Sequence, residues 1–86
     1  MPQYAVSFRR SAEKDLRRLD ATVRPRVMRA VEALAEEPRP SGCRKLTGGE
    51  DAYRIRVGDY RVIYTMDDAV FVVAIERVRH RRDVYR

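Results

Sequence analysis

Seven side chains in the second half of this 86-residue chain have the chemistry to act on a phosphodiester: Arg54, Arg56, Arg61, Arg79, His80, Arg81 and Tyr85. Guanidinium forks match phosphate oxygens two bonds at a time. Cations fixed where charge develops are often the largest catalytic term, and losing one such donor costs ~3 kcal/mol of barrier. Gathered on one surface, these groups would bind an RNA phosphate and stabilise a pentacoordinate transition state. Arginine stays charged and cannot shuttle a proton at neutral pH. Proton transfer would therefore fall to His80, to Tyr85, or to the RNA and solvent. Clustered positive charge would lower the Tyr85 phenol pKa and favour its phenolate.

Spacing supports the grouping. Ala52 to Val57 and Tyr60 to Met66 alternate with period two, and Gly58-Asp59 between them is a two-residue hairpin signal. In that register Val57 faces Tyr60, Arg56 faces Arg61 and Ile55 faces Val62. Like charges directly opposite are destabilising, so the pair suits a site that receives an anion. The competing reading makes Arg54, Arg56 and Arg61 solvated residues of an exposed sheet face. His80 within a basic run and Tyr85 near the chain end have equally ordinary readings, as a solvated residue and an edge cover.

The elements that must position these residues follow from periodicity. Tyr4 to Phe8 reads as a first strand. Ala12, Leu16 and Leu19 fall at helical spacing. Thr22 is a plausible helix cap, with Pro25 tolerated in the first turn. Val23, Val27, Ala30, Val31 and Leu34 form the stripe of a second helix, which Pro38-Arg39-Pro40 stops. Ser41 to Asp51 reads as a loop, in which Cys43 is incidental. After the hairpin, Asp67-Asp68 turns the chain and Ala69 to Arg77 returns as the last strand. Alternation puts Tyr53, Ile55, Val57, Tyr60, Val62, Tyr64, Met66, Phe71, Val73 and Ile75 on one sheet face. The other collects Arg54, Arg56, Arg61, Ile63, Thr65, Val70, Val72, Ala74 and Glu76. The expected fold is α+β, one domain over residues 1–86: an N-terminal strand, two helices, then three antiparallel strands, with the helices on the apolar face. The three arginines are expected to be exposed, with Arg81 or Arg79 converging on them.

Composition narrows the partners. A net charge of +6 points to nucleic acid or an acidic protein. Nearly all the basic residues are arginine, which fits phosphate recognition or GC-rich coding. One cysteine allows no intrachain disulfide and fits a reducing, cytoplasmic setting. No apolar run reaches the length of a membrane span. One histidine and one cysteine, without a spaced carboxylate cluster, give no metal site and imply no cofactor.

The run Tyr53 to Tyr64, followed by His80-Arg81-Arg82-Asp83-Val84-Tyr85, resembles the RelE/ParE toxin superfamily. So do the opening strand, Asp15-Leu16 and Lys45-Leu46. The resemblance implies the toxin half of a type II toxin–antitoxin pair, held by an acidic antitoxin. RelE-like members cleave mRNA in the ribosomal A site without metal, using the RNA 2′-hydroxyl as nucleophile. By resemblance, Arg61, Arg81, Tyr85 and Arg56 are catalytic and Arg54 binds RNA phosphate; Arg79 and His80 are read from the residues themselves as further phosphate-binding groups. ParE-like members share the fold and hairpin but inhibit DNA gyrase. The His80-to-Tyr85 ending favours the RelE-like side.

Overall fold

The computed structural model describes residues 3–46 and 52–84. In chain order it holds β1 (Ala5–Phe8), α1 (Arg10–Arg17), α2 (Arg24–Ala33), β2 (Arg44–Lys45), β3 (Ala52–Val57), β4 (Tyr60–Asp67), β5 (Val72–His80) and α3 (Arg81–Val84). The strands form one mixed sheet in the order β1-β5-β4-β3-β2. β1 runs parallel to β5, with Ala5 opposite Val72 and Phe8 opposite Ile75. The other pairings are antiparallel. The α+β reading holds, with two additions: the loop before β3 contains the two-residue edge strand β2, and the chain after β5 forms the four-residue α3.

The helices cover one face because their apolar stripes match the pleat. Val27, Val31 and Leu34, at helical spacing, are buried against Tyr53, Ile55, Val62, Tyr64, Met66, Val73 and Ile75. α1 adds Ala12, and Leu19 is buried just beyond its end. Arg24 ties the helices together by donating to the carbonyls of Leu16 at 3.1 Å and Leu19 at 3.0 Å, at and just beyond the end of α1. Tyr64 is wholly buried, and its hydroxyl donates to the Pro38 carbonyl at 2.7 Å. Burial pushes the Tyr64 phenol well above its ordinary pKa, with Cys43 beside it as a second cause. Cys43 is half-buried and packs against this core.

Two local expectations change. Thr22 does not cap α2; Val23 holds that position, without a side-chain bond, and Pro25 sits in the first turn. The last strand starts at Val72 rather than Ala69, and Phe71 lies in the turn before it with φ 56°. Phe71 is therefore exposed, not core, and meets Tyr4 edge-on at 5.4 Å.

The larger change is a β-bulge in β5. Ile63 pairs with Arg77, but the next residue, Tyr64, pairs with Ile75, so Glu76 is an extra residue. The bulge shifts the alternation by one. Val78 becomes the buried residue, and β5 continues to His80, beyond the expected end at Arg77. Asp15 of α1 secures this part of the strand. β1 stops opposite Ile75, and one Asp15 oxygen takes over as acceptor for the Val78 N–H at 2.9 Å. The same carboxylate receives the Arg77 guanidinium in a bidentate fork at 2.9 and 3.1 Å.

Candidate functional site

The hairpin forms in the expected register, with Val57 opposite Tyr60 and Arg56 opposite Arg61. Gly58 turns it at φ +60°, in the left-handed region, and the Arg26 guanidinium lies 3.3 Å from where a Cβ would stand. β5 extends the row, because the bulge brings Arg79 opposite Arg61. Arg56, Arg61 and Arg79 thus form a line of cations across three adjacent strands. A second line begins one pleat along, where β2 sets Arg44 opposite Arg54.

These residues occupy the sheet face opposite the helices. Gly42, Arg44, Arg54, Arg56 and Arg61 line a pocket of about 90 Å³. Arg56 is exposed, and Arg54 and Arg79 are half-buried. Arg61, expected to be exposed, is only 9% accessible. Its strand lies inside the sheet, with cross-strand neighbours on both sides. No hydrogen bond or ion pair joins Arg44, Arg54, Arg56 or Arg79 to another described side chain. Like charges gathered together hold an anion strongly and repel one another without it.

The other expected residues fall differently. His80 does not join the row. The bulge puts it beside Tyr60, ring centroids 5.1 Å apart and edge-on. Its Nδ1 accepts from the Arg82 backbone N–H at 3.2 Å. Arg81 opens α3, and its N–H donates to the Asp59 carbonyl at 2.7 Å, which anchors this segment beside the hairpin turn. Its side chain is exposed and does not line the arginine pocket. Between the two arginines proposed to converge, it is Arg79 whose register matches the row. Tyr85 lies outside the described residues. Arg44 was not anticipated, since two residues of strand are too short for alternation to reveal. Among the described residues no three His, Cys, Asp or Glu side chains cluster as metal ligands would.

The charges nearer the β4–β5 turn are organised otherwise. Arg9 pairs with Glu76 at 3.2 Å, and Thr65 donates to the same carboxylate oxygen. Tyr4 donates to Asp68 at 2.6 Å, and Arg39 pairs with Asp68 at 2.8 Å while lying 5.4 Å over the Tyr53 ring. Arg39 and then Tyr4 hold the Asp68 carboxyl below its ordinary pKa.

Residues 6–85 match the family described as ParE toxin of type II toxin-antitoxin system, parDE. The chain belongs to this RelE/ParE superfamily, and its named relatives lie on the RelE side. It is 37% identical to Toxin RelG of Mycobacterium tuberculosis, covering 96% of this chain and 97% of that one. It is 33% identical to the mRNA interferase toxin RelE of Escherichia coli, covering 95% and 90%. The fold matches the archaeal RelE-RelB complex from Pyrococcus horikoshii with a TM-score of 0.81 at 32% identity, covering 92% of this chain and 96% of that one. It matches the toxin-antitoxin complex RelBE2 from Mycobacterium tuberculosis with a TM-score of 0.82 at 31% identity, covering 92% and 99%.

Proposed function

We propose that this chain is a ribosome-dependent mRNA endoribonuclease, held inactive by an acidic antitoxin. The observation that carries the reading is the row Arg56–Arg61–Arg79, flanked by Arg44 and Arg54. Relatives named as mRNA interferases and neighbours solved with RelB antitoxins support it. Among the described residues no helix is long and apolar enough to cross a membrane, which leaves a cytoplasmic site of action open to the toxin.

In the proposed reaction the arginine row holds the scissile phosphate. The RNA 2′-oxygen gives up its proton and attacks phosphorus, the bond from phosphorus to the 5′-oxygen breaks as that oxygen takes a proton from solvent, and a 2′,3′-cyclic phosphate and a 5′-hydroxyl result. Negative charge grows on the equatorial oxygens as the phosphorane forms, and Arg61 and Arg79 meet it from adjacent strands. Arg56 and Arg54 hold the phosphate beside them. Tyr85 serves the proton leaving the 2′-hydroxyl or stacks on a base, and Arg81 contacts RNA from the rim at the start of α3. His80 acts from the other side of the sheet.

The test is to map RNA 5′ ends and DNA breaks after brief expression of wild type and Arg61→Ala. Codon-phased mRNA cuts that vanish in the variant support the proposal. DNA breaks without mRNA cuts would redirect the assignment to DNA gyrase.

A further inference from the structure

A second cationic concavity lies around the free edge of β5. Beyond Ile75 no described strand pairs with that edge, and Asp15 covers only its Val78 N–H. The concavity measures about 350 Å³, and Arg18, Arg77, Arg79 and His80 supply its positive and donor groups, with Tyr60 beside them. Asp15 also borders it, but its two oxygens are committed to Arg77 and Val78. Arg18 and Arg79 carry no hydrogen bond or ion pair to another described side chain. His80 accepts at Nδ1 from the Arg82 N–H, which leaves Nε2 as the ring nitrogen free to face a ligand. Arg79 also stands in the row with Arg61, so the two sites meet at one residue.

We infer that this concavity is a second phosphate site, taking an RNA phosphodiester other than the one held on the arginine row. The inference rests on the RNA-directed reading above. A polyanion laid across the row reaches the sheet edge at Arg79, and Arg18 is the next unneutralised cation it meets. Tyr60 and His80 add ring faces to the same wall, as single-stranded RNA sites use for bases. The two arginines then grip successive parts of an RNA, with only one phosphate exposed to chemistry.

Salt dependence reads this directly, because each phosphate contact on a single strand contributes about 0.7 to the slope of log K against log salt. The probe is an mRNA with a 2′-deoxy residue at the cut position, bound free or on ribosomes, with ribosomes lacking mRNA as a third arm. Arg18→Ala should lower the slope by about 0.7, and Arg18→Lys should restore it. Arg17→Ala, exposed on the same helix but outside the concavity, should leave the slope unchanged. A loss confined to the arms containing mRNA identifies the message as the source; a loss on ribosomes without mRNA identifies ribosomal RNA. Equal slopes for wild type and Arg18→Ala in every arm would overturn the site. Cleavage of unmodified mRNA by wild type is scored separately. Cleavage with equal slopes refutes this site alone. A lost slope without wild-type cleavage refutes the nuclease reading alone. No salt-dependent RNA binding by wild type refutes both.

Discussion

Two regions of the molecule treat charge in opposite ways. At the β4–β5 turn, Arg9, Arg39, Asp68 and Glu76 are matched into pairs. At the β3–β4 turn, Arg44, Arg54, Arg56 and Arg79 gather with no counter-charge from the described side chains. Matched charge holds structure in place, whereas unmatched charge waits for something outside the molecule.

The strongest way to break this contrast is at the row itself. Arg61→Ala should reduce cleavage of ribosome-bound mRNA by ~100-fold or more, the scale of losing one transition-state donor. Arg61→Lys, which keeps charge but loses the fork, should recover only part of it. A single-turnover assay measures both, and cleavage at the wild-type rate by a folded Arg61→Ala protein would end the proposal. Because Arg61 is nearly buried, its melting temperature should be followed as well.

Removing Asp15 tests the link between ordinary pairing and the row. Asp15→Ala leaves the Val78 N–H and the Arg77 guanidinium without their acceptor, at a cost of about 2 kcal/mol. For a domain of this size that is a fall of roughly 10 °C in melting temperature. The Val78 amide should lose its protection from hydrogen exchange, and cleavage should fall beyond the folded fraction, since Arg79 depends on that register. Arg77→Ala retains the Val78 bond and should cost less.

Tyr64→Phe removes one buried hydrogen bond, to the Pro38 carbonyl, and should cost about 1 kcal/mol on thermal melting. Cleavage by the folded fraction should not change, because this bond lies under the sheet. Asp68→Asn should have the smallest effect. The folded-state pKa of Asp68 is depressed, so its contribution is fully present above the ordinary carboxylate value and fades as pH falls through the folded one. A small melting difference from wild type at neutral pH should therefore close below about pH 4. High salt should shrink it too, as these groups are exposed. A difference that widened in acid would contradict the pairing.

Much of this was legible in the chain. Alternation with a Gly-Asp turn gave the hairpin and the Arg56–Arg61 pair, because a period of two leaves little freedom once one face is buried. The β5 assignments went astray at one residue. A strict register carried through Glu76 puts Val78 opposite Arg61, whereas the bulge places Arg79 there. Its trace was present in retrospect: the apolar residue after Ile75 is Val78, three positions on rather than two. The parallel placement of β1 left no local signal, since it depends on an edge that forms only when β5 is in place. Arg44 was hidden because its strand has two residues and is specified by its partner alone.

The short strand β2 has a further consequence. A sheet edge offers unpaired backbone groups to any other chain, and long apolar edges invite stacking into aggregates. Here that edge is two residues long, and both, Arg44 and Lys45, are exposed cations. A second copy approaching to add its own strand would meet like charge before it met a backbone partner. The charge on this strand thus disfavours pairing of a second copy along this one edge.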